Sequence, residues 1–272
     1  MSIIERSLQK IAAGRAKAAQ KPAHDTPRQA VRSDAAEIAA ARQYHRLTMN
    51  PAALEANKIL VDKSDPQATA AYNIVRTRLL QRLASNDWRS VAVTGTQPGE
   101  GKSLTAINLA IALARDENTW VFLVDMDLKR PSIATQLGLK FDQGLSDYLG
   151  GTAKIEDIIY DPGIARLAVI PNAHAAEQPS ELLGSARMDE LVEHLKTESP
   201  KRVIIYDMPP LMISDDVLTF APQVDGLLYV VSEGTTDRKS LEAARQVLSE
   251  MNLIGVVLNR SSSRDKRGYS YY

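Results

Sequence analysis

The chain of 272 residues contains no cysteine. It can therefore form no disulfide and no cysteine-ligated iron–sulfur cluster, and the absence fits a reducing compartment. No apolar run approaches the roughly 20 residues that a membrane-spanning helix needs, and charged residues begin at Glu5, so we expect neither a bilayer span nor a secretory signal. The four histidines show no ligand or triad spacing, which argues against zinc or serine-hydrolase chemistry. These absences predict a cytoplasmic protein.

The charge of the chain is balanced, with 33 basic and 33 acidic residues, but it is distributed unevenly. Residues 1–50 hold nine basic side chains against four acidic ones, and the last 13 residues hold four against one. Basic chain ends usually form solvated tails, and the alternative is contact with an anionic membrane face or an acidic partner. Because the charge of the whole chain is balanced, the residues between the two basic ends carry more acidic than basic side chains.

One short stretch, residues 95–103 with the sequence GTQPGEGKS, has the features of a phosphate-binding loop. It follows the apolar run at residues 91–93 and precedes a segment whose apolar residues recur at helical spacing. Between a strand and a helix, backbone N–H groups can wrap a polyphosphate, Lys102 can reach its outer oxygens, and Ser103 can bind Mg²⁺. The expected ligand is a nucleoside triphosphate.

This loop departs from the strict pattern, because Thr96 stands where the first glycine is usual. The alternative is a glycine-rich turn in which Ser103 only caps a helix. The order of strand, loop, Gly-Lys-Ser and helix favours the phosphate loop. A carboxylate inside a phosphate cradle is repulsive, so we expect Glu100 to face solvent or a neighbouring subunit.

Short apolar runs alternate with helical stretches from residue 64 onward. The sequence Ser64-Asp65-Pro66 predicts a helix start, because a capping side chain precedes a proline that needs no N–H partner. Near-continuous apolar runs are typical of strands buried on both faces. They predict strands at residues 89–95, 120–125, 167–170, 202–206, 227–231 and 254–258, with helices that include residues 181–197 and 238–251. The pattern predicts an α/β fold, a mostly parallel central sheet flanked by helices on both faces, of the P-loop NTPase type with a deviant Walker motif.

We divide the chain into three parts. Residues 1–54 are expected to hold an N-terminal amphipathic helix at residues 2–20, followed by a flexible basic linker. The apolar face of that helix suits either a surface helix of the fold or docking to another protein. Residues 55–260 are predicted to form the phosphate-loop domain, and residues 261–272 a flexible tail that contains three tyrosines.

Three carboxylates stand at the ends of predicted strands. Asp125 ends VFLVD, Asp127 follows it, and Asp207 ends VIIYD. The carboxyl ends of parallel strands share one edge of a sheet, where ligands bind, so these side chains should lie beside the phosphate loop. Carboxylate oxygens suit Mg²⁺, and a carboxylate can also orient an attacking hydroxyl or accept its proton. Each aspartate taken alone could merely cap a turn.

These motifs together resemble those of the bacterial tyrosine kinases of capsule and exopolysaccharide biosynthesis. The resemblance covers residues 55–272 and is carried by TQPGEGKS, VFLVDMDLKRP, VIIYDMPP and the C-terminal GYSYY. In that family the phosphate loop reads much like TQPGEGKS, so Thr96 in the place of the first glycine is not an exception. The resemblance implies an ATP-dependent and Mg²⁺-dependent autokinase, with Lys102, Asp125 and Asp127 as its catalytic residues.

The resemblance also implies a role for each site residue. Lys102 would bind phosphate, Asp125 would orient or deprotonate the tyrosine, and a magnesium site would use Ser103, Asp127 and Asp207. The implied nucleotide contacts are Gly99, Glu100, Gly101, Lys102, Ser103, Leu104 and Asn259, the last at the position from which related ATPases contact adenine. A turn-forming role for Asn259 is the alternative.

The phosphate acceptors are expected to be Tyr269, Tyr271 and Tyr272. The tail is rich in Ser, Arg and Lys, so it should be mobile enough to carry a tyrosine into an open site. Tyr206 and Tyr229 fall within predicted core strands and are poorly accessible. The alternative is that the aromatic tail packs against a partner.

One departure from the family concerns assembly. The family carries Glu-x-x-Arg-x-x-Arg on the helix before the first strand, where this chain has Ala70, Asn73 and Arg76. Arg78 faces another side of that helix. We therefore expect weakened self-association and a mainly monomeric protein.

The resemblance further implies partners. They are a membrane activator of the chain-length-determinant type, which would recruit the protein to the inner membrane, and a cognate tyrosine phosphatase. We expect no nucleic-acid partner. Two other functions stay open, a nucleotide-switch ATPase and a nucleotide-binding scaffold without kinase activity. The nucleotide-switch ATPases usually carry an additional lysine near the start of the loop, and this chain has none near Gly95.

Overall fold

A computed structural model describes residues 44–62, 64–197, 202–249 and 251–261. The predicted helix at residues 2–20, most of the linker and the three tail tyrosines lie outside the described residues. Within the described part of the chain, no helix is both long and apolar enough to cross a bilayer.

Eight strands in the described chain form one sheet with the order β1-β4-β5-β3-β6-β2-β7-β8. Every neighbouring pair is parallel except β4 and β5. This confirms the predicted fold class. The strands are β1 (His45–Arg46), β2 (Ser90–Gly95), β3 (Trp120–Asp125), β4 (Tyr160–Asp161), β5 (Leu167–Ile170), β6 (Arg202–Asp207), β7 (Gly226–Ser232) and β8 (Leu253–Asn259).

Helices connect the strands and cover the sheet. The helix start predicted at residues 64–66 is confirmed, because Asp65 is the N-cap and accepts a hydrogen bond from the Ala68 amide at 2.9 Å. The helices are α1 (Pro51–Ala56), α2 (Pro66–Asn86), α3 (Lys102–Ala114), α4 (Ile133–Leu137), α5 (Leu145–Leu149), α6 (Pro179–Leu183), α7 (Ala186–Thr197), α8 (Asp216–Phe220) and α9 (Arg238–Leu248).

The single helix predicted over residues 181–197 is wrong, because α6 and α7 divide it. Gly184 ends α6, where its amide donates to the Ser180 carbonyl at 3.0 Å. The next residue, Ser185, starts the second helix, since its hydroxyl oxygen accepts a hydrogen bond from the Met188 amide at 3.3 Å. A helix-ending glycine followed by a capping serine produces the break.

The central strands are apolar on both faces because both faces of the sheet are covered. Along β3, Phe122 and Val124 pack into one buried cluster, whereas Val121 and Leu123 pack into another. Strand side chains alternate between faces, so the two clusters lie on opposite sides of the sheet. Helix α3 belongs to the second cluster and is buried almost throughout. This packing fixes the position of the loop between β2 and α3.

The domain begins earlier than the expected boundary at residue 55. Strand β1 pairs with β4, and the Leu47 amide donates to the Asp161 carbonyl at 2.8 Å. Asn50 caps α1 by accepting a hydrogen bond from the Ala52 amide at 3.0 Å. The segment from residue 45 to residue 54 is therefore part of the domain and not of the linker.

A single carboxylate joins the starts of two central strands. Oδ2 of Asp225, just before β7, accepts hydrogen bonds from the Arg89 amide at 2.8 Å, the Ser90 amide at 2.8 Å and the Ser90 hydroxyl at 2.7 Å. Its Oδ1 lies 3.5 Å from Lys196 Nζ. These donors hold the beginning of β2 against β7.

Replacing Asp225 with alanine is expected to lower the free energy of unfolding by about 2–3 kcal/mol, because it leaves partly buried donors without an acceptor. Urea denaturation checks this value. The control is Glu242→Ala, which removes an exposed ion pair to Arg238 and should leave stability near wild type. Equal stability of the two variants would contradict the role of Asp225.

The same carboxylate should make stability depend on pH. Burial pushes the pKa of Asp225 upward, but the hydrogen bonds from Arg89 and Ser90 and the Lys196 charge outweigh burial and hold it below its usual value. A depressed pKa stabilises the fold above the unfolded-state pKa, and this contribution is lost as pH falls through the folded-state pKa. Asp225→Asn should therefore show a smaller loss of stability below pH 4 than the wild type does.

Candidate active site

The phosphate loop depends on glycines at particular places. Gly99 and Gly101 have φ values of 81° and 87°, in the left-handed region that side chains disfavour. Gly101 is also the N-cap of α3, so it turns the first amides of that helix toward the loop. A Cβ atom at Gly95 would lie 2.7 Å from the Val230 carbonyl oxygen. The backbone can therefore form a concave, N–H-lined turn, as the sequence predicts.

The expectation that Glu100 faces solvent or a neighbouring subunit is wrong. Its side chain is fully buried, and both carboxylate oxygens are bonded within the chain. Oε2 accepts a hydrogen bond from the Gln97 amide at 3.0 Å, and Oε1 accepts one from the Thr236 hydroxyl at 2.5 Å. Glu100 thus braces the loop against the segment after β7, and only its backbone is left to contact a phosphate.

Lys102 lies at the first position of α3 with only 7% of its surface exposed. Its Nζ donates a hydrogen bond to the Gln97 carbonyl within the loop at 3.1 Å. Burial lowers the pKa of Lys102, while the charges of Asp207, Glu100 and Asp127 oppose that shift. The ammonium group therefore lies among the predicted carboxylates, and it can exchange its carbonyl partner for a phosphate oxygen.

The strand-end carboxylates lie side by side. Asp125 of β3 and Asp207 of β6 are register partners, and neither has exposed surface. Oδ2 of Asp125 is held by the amides of Ser132 and Ile133, both at 3.0 Å. Its Oδ1 has no hydrogen-bond partner among the described residues, and neither oxygen of Asp207 makes a hydrogen bond of good geometry there, although the Ser103 hydroxyl lies near enough to lower the pKa of Asp207. The two acids thus present three buried oxygens that the described chain leaves unsatisfied.

Burial and mutual repulsion raise the pKa values of the aspartates at this site. Burial raises the pKa of Asp125 well above its usual value, and the Asp207 carboxylate raises it further. The pKa of Asp207 rises to about 7, chiefly through burial, although the Ser103 hydroxyl and Lys102 oppose the rise. Burial also raises the pKa of Asp127. A cation among these groups would favour their ionised forms.

The residues present fit a divalent cation that arrives with phosphate. Within the described ranges, no three His, Cys, Asp or Glu side chains form a group that could hold a metal by themselves. Mg²⁺ usually takes one or two carboxylates and completes its shell with phosphate oxygens and water. The unsatisfied oxygens of Asp207, beside Ser103 at the phosphate loop, suit that kind of site.

Asn259 lies at the border between the phosphate loop and a cavity. Its Nδ2 donates to the Glu100 carbonyl at 2.8 Å, and its Oδ1 accepts from the Arg260 amide at 2.9 Å. It lines a cavity of about 780 Å³ together with Leu104 and Tyr72. That volume is in the range of small-molecule sites. The structure thus brings Leu104 and Asn259 together, and the Arg260 contact also matches the turn-forming alternative.

The tyrosines of the described core are inaccessible as predicted. Tyr206 and Tyr229 are 0% and 2% exposed. The Tyr229 hydroxyl is engaged with Thr96 Oγ1 at 2.5 Å. Tyr72 lies half-buried on α2.

The helix that carries the altered assembly motif is α2. Ala70 and Arg78 are exposed on it, and Asn73 is half-buried. Arg76 donates from Nη1 to the Ala112 carbonyl at 3.2 Å. The one arginine that matches the family pattern is thus bonded to α3 of its own chain.

A glycine-shaped loop before a helix, a buried lysine and acids at adjacent strand ends define a nucleotide-binding protein of the P-loop class. Residues 91–271 match the model of the CobQ/CobB/MinD/ParA nucleotide binding domain. The tyrosine-protein kinase YwqD of Bacillus subtilis is 28% identical over 221 residues, which are 80% of this chain and 92% of that protein.

Two solved kinase domains show the same fold. The VpsO kinase domain is 30% identical, with a TM-score of 0.63 over 72% of this chain and 95% of its own. The kinase domain of the Escherichia coli tyrosine kinase ETK is 27% identical, with a TM-score of 0.69 over 85% and 88% of the two chains. The chain belongs to the CobQ/CobB/MinD/ParA nucleotide-binding family and, within it, to the bacterial tyrosine kinases.

Proposed function

We propose that this chain is an ATP-dependent protein-tyrosine kinase that phosphorylates Tyr269, Tyr271 and Tyr272 in its own C-terminal tail. One observation carries the proposal: in the buried pair Asp125 and Asp207, three of the four carboxylate oxygens have no hydrogen-bond partner among the described residues, and the charge of Lys102 in the phosphate loop acts on Asp207. Phosphoryl transfer to a hydroxyl needs both a cation-binding acid and an acid that orients the nucleophile. Phosphorylation of the tail would regulate exopolysaccharide or capsule synthesis.

Each residue has a part in the transfer. The loop amides and Lys102 bind and orient the phosphates of ATP. Ser103, Asp127 and Asp207 would hold Mg²⁺, which would neutralise negative charge that develops on the phosphates during the transfer. Asp125 is held through Oδ2, so Oδ1 can accept the proton of the tyrosine hydroxyl. The products are ADP and phosphotyrosine.

Changing the three tail tyrosines to phenylalanine tests the acceptor assignment. Phenylalanine keeps most of the aromatic surface and removes only the hydroxyl, so phosphotyrosine should disappear while ATP binding persists. Mass spectrometry after incubation with Mg²⁺ and ATP measures the phosphate, and Tyr160→Phe, in strand β4, is the matched control. Wild-type phosphotyrosine in the triple variant would place the acceptor elsewhere. A wild-type protein without phosphotyrosine would support the packing alternative for the tail.

A second prediction concerns pH and the cation. Because the pKa of Asp207 is raised to about 7, a growing fraction of this ligand is protonated as pH falls below 7. The Mg²⁺ affinity of the nucleotide-loaded protein should therefore be about tenfold lower at pH 6 than at pH 8. Calorimetry at both pH values checks this. Asp207→Asn should flatten the pH dependence to that of the nucleotide alone, and a steep dependence in this variant would contradict the assignment.

The proposal includes partners. We propose recruitment to the inner membrane by an activator of the chain-length-determinant type, and resetting by a tyrosine phosphatase. Support comes from the family and from the basic charge at both ends of the chain. Weak self-association remains our expectation, since Ala70 cannot supply a charged contact and Arg76 is already bonded within the chain.

A further inference from the structure

One aspartate near the site, in addition to Asp125, Asp127 and Asp207, has no role in the transfer described above. Asp216, the first residue of α8, has no exposed surface. Its Oδ1 lies 2.6 Å from the Ser180 hydroxyl, while its Oδ2 is buried without a hydrogen-bond partner among the described residues. An unsatisfied buried carboxylate oxygen is costly, so its retention calls for a ligand that the chain itself does not provide.

Ser180 cannot satisfy Asp216 alone, because it serves two acids. Its hydroxyl lies 2.7 Å from Oδ1 of Asp215 and 2.6 Å from Oδ1 of Asp216. A hydroxyl has one proton to donate, so only one of these carboxylates receives it at a time. Asp215 is exposed and can bond to water, whereas Asp216 is enclosed. The buried acid therefore has at most one donor for two oxygens.

The segment that leads from β6 to Asp216 begins against β2, the strand that enters the phosphate loop. After β6, the Met208 amide donates to the Val93 carbonyl at 2.9 Å, and the Leu211 amide donates to the Gly95 carbonyl at 2.8 Å. Burial raises the pKa of Asp127, and the charge of Asp216 contributes to that rise. Asp216 is thus close enough to repel Asp127.

The charge of this cluster needs compensation. The charges of Asp207, Glu100 and Asp127 act on Lys102, and Asp216 adds a further acid that acts on Asp127, so the acids of this cluster outnumber that lysine. A divalent cation that arrives with a nucleotide brings positive charge to the cluster together with its own bound waters. Mg²⁺ keeps several such waters, which are strong hydrogen-bond donors.

We propose that Asp216 is a positioning residue for a hydrated divalent cation, accepting through Oδ2 a hydrogen bond from a cation-bound water while Ser180 fixes Oδ1. Water-mediated contact suits this residue better than direct ligation, because no metal-holding trio of acids exists in the described ranges. This inference rests on the proposed function in one respect: the protein must bind a complex of a cation and a nucleotide.

Titration of Mg²⁺ into the full chain with a fluorescent ADP analogue tests the proposal. Loss of a residue that orients metal-bound water typically weakens metal affinity 10–100-fold, so Asp216→Asn should raise the Mg²⁺ midpoint by about tenfold. Binding of the analogue without Mg²⁺ should stay unchanged. The melting temperature of the ligand-free variant should equal or exceed that of the wild type, because the change removes repulsion from Asp127.

Asp215→Asn is the matched control, since it changes the neighbouring acid that shares Ser180 and should leave the Mg²⁺ midpoint unchanged. An unchanged midpoint in folded Asp216→Asn, or an equal shift in Asp215→Asn, would overturn the proposal. So would parallel loss of Mg²⁺-free binding, which indicates a purely structural role. If Asp216→Asn does not fold, Ser180→Ala should raise the midpoint by loosening Oδ1, and an unchanged midpoint in that variant overturns the proposal.

Failure of this proposal differs from failure of the proposed function. A wild-type protein without Mg²⁺-dependent binding of the analogue would remove both. Normal Mg²⁺ dependence in the wild type with none of the expected change in Asp216→Asn would remove only the role of Asp216. Phosphotyrosine formation is not measured in this experiment, so the tail assignment is tested separately.

Discussion

Lys102→Met is expected to lower phosphotyrosine formation by about 10³-fold, the upper end of the effect of removing one preorganised group that stabilises developing charge. The charge of Lys102 acts on Asp207 and Asp127, and its side chain is buried, where water replaces it poorly. Methionine has a similar length and keeps most of the packing. Calorimetry should also show weaker Mg²⁺-ATP binding, because a contact to the phosphates is lost.

The control for this prediction is Lys140→Met, which changes an exposed lysine outside the loop and should keep wild-type binding and phosphorylation. Quantitative mass spectrometry with time points resolves a 10³-fold difference between the two variants. Unchanged nucleotide affinity in Lys102→Met would mean that this loop is not the phosphate site.

The second large effect is expected for Asp125→Asn. General-base catalysis contributes roughly 10²–10⁴-fold, so phosphotyrosine formation should fall by that factor. Nucleotide binding should persist, because the asparagine oxygen can still accept the amide hydrogen bonds from Ser132 and Ile133. Comparison of the initial phosphorylation rate with the ATP affinity separates loss of chemistry from loss of binding.

The pH profile gives an independent check of the base. The pKa of Asp125 is raised by burial and by Asp207, and a base acts only when deprotonated, so the wild-type rate should fall as pH falls through that elevated pKa. At saturating Mg²⁺ and ATP, where protonation of Asp207 does not limit cation binding, the same fall should be absent from the residual activity of Asp125→Asn. Asp161→Asn, an acid at the end of strand β4, is the control and should retain the wild-type profile. A full rate in Asp125→Asn would show that another group takes the proton.

Most of the central sheet could be predicted because its strands are continuous apolar runs. The bounds of β3 and β5 match the predicted ones, and β6 extends one residue further, to Asp207. The two-residue strands β1 and β4 could not be found, because two residues carry no periodicity.

The candidate site could be predicted only in part. The rule that parallel strands end at one edge placed Asp125 and Asp207 together. The burial of Glu100 depends on Thr236, 136 residues away, and no local pattern contains that contact. Asp216 was missed for the same reason, since its enclosure arises from packing between α8 and α6 and not from its neighbours in the sequence.

The hydrogen bond from Asn259 to the phosphate loop fixes the root of the tail at the rim of the site. Tyr269 is ten residues further along and Tyr272 thirteen, and each residue spans at most about 3.6 Å, so the tail defines a sphere of roughly 36–47 Å. Within such a radius a tethered group reaches an effective concentration in the millimolar range. If the tail tyrosines are the acceptors that we propose, the length of this tether, more than the affinity of the site for tyrosine, would decide which hydroxyl groups meet the γ-phosphate.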